Sequence, residues 1–180
     1  MNTETNFLKI VTESFKGMKA QAERAMGQLS LEELHYAPNG ESNSIAVLIK
    51  HMSGNLKSRF SSFLTEDGEK PDRKRDEEFV GAFKSKEELL QTWNAGWNIL
   101  FETLESMTDD DLTRTITIRS EPYSAINAIQ RAVVHQSGHV GQIVYIAKMI
   151  KGDSWQTLSI ARGQSEKWTD AYSEQFKRQS

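Results

Sequence analysis

The sequence predicts an all-α protein, a four-helix bundle with a long crossover between its second and third helices. Three observations carry this. Four long stretches repeat apolar residues at the 3.6-residue helical period. Serines stand at capping positions ahead of several helical segments. A polar run of about 20 residues separates the second stretch from the third, too long for a tight helical hairpin. The whole chain, 1–180, reads as one domain with a core over about 3–168 and a polar C-terminal tail.

The first helix is set by Phe7, Ile10, Val11, Phe15, Met18, Ala22, Ala25, Met26 and Leu29. Ser30 and Glu33 then have capping-box spacing, and Pro38 with Gly40 closes a single helical turn and its loop. His35 falls there and reads as a surface residue. A second long helix starts at Ser42 or Ser44 and runs through Ile45, Leu48, Ile49, Met52, Leu56 and Phe60 to Leu64. It carries His51, about 130° from the centre of the apolar stripe and so on its flank.

From Thr65 to Lys84 the chain is polar, which predicts a crossover between helices that are not hairpin neighbours. Its basic cluster, Lys70 to Arg75, is interrupted by acidic residues and reads as a solvated connection rather than an anion site. Ser85 with Glu88 announces the third helix, through Leu89, Trp93, Trp97, Leu100 and Leu104 to Met107. The two tryptophans fit core or dimer contacts. Thr108–Leu112 repeats the acidic turn, and the alternating Thr113–Arg119 segment reads as a short strand ended by Pro122. The fourth helix runs from near Ser124 to Lys151, with Gly152 as its stop. Apolar over most of its circumference, it is expected to be the most buried of the four. Trp155, Leu158 and Ile160 should dock on the bundle, and the last ten or so residues should form a frayed helix.

The chain has no cysteine, which removes disulfides, thiolate ligands and a cysteine nucleophile together. Any metal must then be held by nitrogen and oxygen. A formal charge of −3, from 22 basic and 25 acidic residues, argues against general nucleic-acid binding. No apolar run approaches the ~20 residues of a membrane span, and the first residues do not resemble a secretion signal. The expectation is a cytoplasmic protein with small-molecule or protein partners.

The chemistry concentrates at Ala132–Ile146, where His135 and His139 stand four residues apart and project ~40° apart on one helix. Each could be a core histidine with its own polar partner, or the two could share a metal ion. The chain also echoes itself: long helix, acidic turn, then a serine-started helix bearing histidine. Two hairpins joined by the crossover would bring His51 to the pair. Gln136 occupies the place where H-E-x-x-H peptidases carry their general base, which argues against that chemistry. No nucleophile-elbow, Walker A or dinucleotide glycine pattern occurs. Asn55 and Arg59 follow His51 at successive i+4 steps and are candidates to orient a water or meet a carboxylate. Their alternative is structural: an internal ion pair for Arg59 and an interhelical bond for Asn55. Tyr145, beyond the pair, is the remaining catalytic candidate.

S-I-A-V-L-I-K-H-M at Ser44–Met52, H-Q-S-G-H-V-G-Q-I at His135–Ile143 and L-S-I-A-R-G-Q-S at Leu158–Ser165 resemble the DinB-like (DinB/YfiT) superfamily, in one uncharacterised bacterial branch. The resemblance covers the first helix to about Trp168. It implies a crossover four-helix bundle, usually a homodimer, with a divalent metal on His51, His135 and His139. Related proteins include S-transferases and isomerases that use low-molecular-weight thiols, and others proposed to be hydrolases. Some of them carry Glu where this chain has Gln136. A three-histidine site leaves positions open on Zn²⁺ or Ni²⁺. The leading expectation is a metal-dependent enzyme that transfers a small thiol to an electrophile. The alternatives are a metal-dependent hydrolase or a non-catalytic helical dimer that binds a metal or ligand.

Overall fold

The computed structural model describes residues 3–169. Four long helices, α1 (Thr3–Met26), α3 (Ile45–Phe60), α4 (Lys86–Ser106) and α5 (Ala125–Lys151), are joined by the short α2 (Leu31–His35) and a two-stranded hairpin. Capping decides where they begin. Ser30 and Glu33 make the full reciprocal box ahead of α2. Ser44, Ser85 and Ser124 accept backbone N–H groups at the starts of α3, α4 and α5. The box at Ser85 is half made, because the Glu88 carboxylate accepts from Lys84 N instead. Gly152, at φ +51°, caps α5 where a residue with a Cβ would be strained.

Side-chain contacts fix the helix directions. The Ser53 hydroxyl donates to the Thr92 carbonyl and the Thr103 hydroxyl to that of Phe60, so α3 and α4 run parallel. Parallel neighbours require the chain to travel back along the bundle, which is why the connection is long. In contrast, the Trp93 indole donates to Glu23 while Trp97 meets Phe15 edge-on, so α1 and α4 are antiparallel. Both tryptophans are fully buried in the core, with Phe15, Met26, Leu48 and Met52.

Gly96 lets α3 and α4 approach, since a Cβ there would lie 2.7 Å from Ser53 Cα. Gly96→Val should therefore destabilise the protein by about 2 kcal/mol, within the usual range for overpacking. Urea unfolding would test this, and an unshifted midpoint would mean that the helices part freely.

Three expectations change. The short strand is a hairpin, β1 (Thr115–Ile118) paired antiparallel with β2 (Glu121–Ser124), and Pro122 lies within β2. A two-stranded hairpin consists only of edges, where proline is tolerated. The helix with most of its length buried is α3, whereas α5 exposes Val134, Tyr145 and Met149 on a side that no other element covers among the described residues. His35 is half-buried rather than on the surface: its Nε2 accepts from Phe83 N and its Nδ1 donates to the Leu31 carbonyl. It thereby ties the end of the crossover to α2.

The expected docking of the tail is present as far as Leu158, whose carbonyl accepts from Arg24, while Gln28 bonds to the backbone of Gln156. The frayed C-terminal helix lies outside the described residues.

Candidate metal centre

His51 lies on α3, and His135 and His139 lie one turn apart on the antiparallel α5. One ring nitrogen from each falls within 4.8 Å of the others. His51 Nε2 and His135 Nε2 face each other at 3.2 Å. Nitrogens bound at ~2.1 Å to a tetrahedral ion would stand about 3.4 Å apart, so a small closure would complete the set. Burial is reversed from the helical-wheel expectation. His51, on the flank of its stripe, is 5% exposed because the crossover covers it, and the α5 pair is half-buried.

The outer nitrogens are also engaged. His51 Nδ1 donates to Glu78 Oε2 at 3.0 Å. The same carboxylate takes a two-pronged bond from Arg73, through Nε to Oε1 at 2.8 Å and an NH2 to Oε2 at 3.0 Å. Burial would raise the Glu78 pKa, but the bonds from His51 and Arg73 outweigh it and hold the group below its usual value. His139 Nδ1 donates to Gln142 Oε1 at 2.9 Å.

His135 Nδ1 lies 3.4 Å from Gln136 Nε2, and Gln136 Oε1 is buried without a partner. Turning that carboxamide over, which preserves its shape, lets the orphaned oxygen accept the Nδ1 proton. In that orientation every Nδ1 has an acceptor, and each Nε2 would be free to present a lone pair. Desolvation, helped by the neighbouring imidazoles, lowers the His135 pKa to about 4, and desolvation also lowers that of His139. His135 is thus neutral at pH 7, as a metal ligand must be. The arrangement is suited to holding a metal ion.

A pocket of about 130 Å³ opens beside His51 and His135, lined also by Asn55 and Arg59. The Arg59 guanidinium pairs with Glu69 at 3.0 Å and bonds to the Gly68 carbonyl. Tyr145 stands apart, 71% exposed in a groove with Pro38, Leu48 and Met149.

Glu78 and Arg73 were hidden in the polar crossover. Their signal was Gly54, a glycine inside α3 on the His51 side, where a Cβ would overlap the Glu78 carboxylate. The cluster Lys70–Arg75 is likewise no simple solvated connection. The Arg73 side chain is 6% exposed, and Arg75 reaches the pocket.

A mostly helical bundle that brings three imidazoles together, backed by hydrogen-bond acceptors, defines a helical protein with a candidate metal site. The chain belongs to the DUF1572 family, described as "Protein of unknown function (DUF1572)", whose family model matches residues 2–164. Among solved structures it is similar to the "conserved protein of locus from Enterococcus faecalis". The TM-score is 0.67 at 17% identity, covering 81% of this chain and 97% of that one, a likeness of fold. No curated protein matches the sequence.

Proposed function

We propose that this is a metal-dependent enzyme of DinB-like type, with His51, His135 and His139 holding Zn²⁺ or Ni²⁺, and that it transfers a low-molecular-weight thiol to a small electrophile. The observation that carries the reading is the convergence of three imidazoles, with acceptors on the outer nitrogens of His51 and His139. When bound, the ion supplies Lewis acidity that lowers the pKa of an incoming thiol or water. The chain has no cysteine, so the thiol comes from a cosubstrate.

Glu78 holds the His51 ring and Gln142 holds His139, while Gln136, with its amide turned over, would accept from His135 Nδ1. Gln136 cannot act as a general base, which favours thiol transfer over hydrolysis because a thiol ionises more readily than water. Asn55 lines the pocket beside His51, which supports its candidacy to orient a substrate. Tyr145 has no such position.

The test is elemental analysis of protein purified without an affinity tag and equilibrated with Zn²⁺ or Ni²⁺. The loaded protein is then assayed for thiol depletion against a panel of electrophiles. Absence of bound metal would remove the reading. Metal without thiol consumption across several thiols would favour hydrolysis or a binding role.

A homodimer belongs to the same reading. Its support is the uncovered side of α5, where Val134, Gly138, Gly141 and Tyr145 fall on one stripe and both glycines face open space. Glycine inside a helix costs about 1 kcal/mol against alanine, and nothing among the described residues repays it. Tyr145→Glu should convert the dimer to monomer in sedimentation; a parent that already sediments as a monomer refutes the assignment.

A further inference from the structure

Among the described residues, the pocket beside His51 and His135 is lined by five arginines, Arg59, Arg73, Arg75, Arg119 and Arg131, and by no carboxylate. They come from separate parts of the chain: α3, the crossover, the hairpin turn and α5. Guanidinium groups repel one another, so their convergence needs a counter-charge, and the structure supplies only part of it. Arg59 and Arg119 share Glu69, while Arg73 pairs with Glu78 and also approaches Glu69 at 3.6 Å. Three of the five guanidiniums therefore share two carboxylates. Among the described residues, Arg75 has no ion-pair partner, and Arg131 only stacks over the Tyr123 ring and reaches its hydroxyl.

The backbone is strained to place one of the five. Arg119 and Ser120 both have positive φ, +56° and +65°, in a two-residue hairpin turn that lacks the usual glycine or asparagine. Asp67 holds that turn by accepting both backbone N–H groups, from Arg119 at 2.8 Å and from Ser120 at 2.8 Å. A turn without glycine, fastened from outside, sets Arg119 at the pocket mouth. Phe60, Phe63, Ile118 and Ala128 add apolar lining to the same pocket. A cavity of about 150 Å³ accepts a benzene ring, so this pocket has room for a group on the order of six heavy atoms.

We propose that the pocket binds a small oxyanion, a carboxylate or phosphate group carried by a short apolar substrate, with Arg75 and Arg131 supplying the unpaired charge. This rests on the metal-site reading only in placing the reacting end of that substrate at the histidines. Arginine is suited to the task because its planar fork matches both carboxylate and phosphate.

The test is calorimetric titration of the full-length protein, metal-free and zinc-loaded, with malonate, inorganic phosphate and neutral malonamide. Metal content is measured separately. Malonate or phosphate should bind at one site in the metal-free form, and malonamide should not; which anion binds more tightly identifies the oxyanion. Arg75→Gln/Arg131→Gln should raise Kd at least tenfold with metal stoichiometry and melting temperature unchanged. Both side chains sit at the protein surface, so the fold should survive their loss. The proposal falls if neither anion saturates the metal-free protein, or if the double variant keeps the parent affinity. Binding confined to the zinc-loaded form would also overturn it. If the protein binds no metal, the metal-free titration still decides the question.

Discussion

His135→Ala/His139→Ala should abolish stoichiometric Zn²⁺ or Ni²⁺ binding while leaving the helical content intact. Two of the three converging nitrogens disappear, and a single imidazole cannot keep a dissociation constant in the micromolar range or below. The expected loss is into the millimolar range, on the order of 4 kcal/mol of binding free energy. The fold should tolerate the change, because both side chains are half-buried and neither fills the tryptophan-centred core. Linkage gives a second readout. Parent protein at a metal concentration of about 100 Kd gains roughly 2.7 kcal/mol of stability, and the variant should gain none. Denaturant melts with and without metal measure the difference directly. One equivalent of metal retained by a folded double variant would mean that these histidines are not the ligands.

Glu78→Gln should weaken metal binding by about 10- to 100-fold, the usual effect of altering the group that orients a histidine ligand. The Glu78 carboxylate can only accept, and so fixes the proton of His51 on Nδ1. A carboxamide can also turn its NH₂ toward that nitrogen, which would place the proton on Nε2 and block coordination. The change also leaves the nearly buried Arg73 without its two-pronged counter-charge, with Glu69 at 3.6 Å as a partial substitute. Breaking a buried ion pair commonly costs about 3 kcal/mol or more, so stability must be followed alongside affinity. Competition against a chromophoric chelator, at a denaturant-free temperature well below the melt, separates the two effects. Unchanged affinity in the folded variant would remove Glu78 from the site.

These two expectations differ in how they could be reached. The histidines could be chosen from spacing alone: i and i+4 on a periodic apolar helix means one face, whatever the rest of the chain does. The helices and their starting points were legible for the same reason, since apolar period and serine caps act within a few residues. Glu78 acts across 27 residues of sequence, in a run whose polarity indicated solvent. Its burial arises because the crossover returns over α3, and Gly54 leaves room for its carboxylate. The expectation that α5 would be the most buried helix failed because hydropathy counts apolar side chains without specifying what covers them.

By itself, the sequence determined an all-α chain of four long helices, their caps, a crossover and three histidines able to serve as ligands. Local periodicity and local hydrogen bonding suffice for each of these. Only the tertiary structure decided that α3 and α4 run parallel, that His51 meets His135, and that Glu78 and Gln142 hold the rings of His51 and His139. It also decided that arginines from four parts of the chain converge on one pocket. Those are through-space arrangements between residues far apart in the chain, set by how the helices pack and by where the connections between them close.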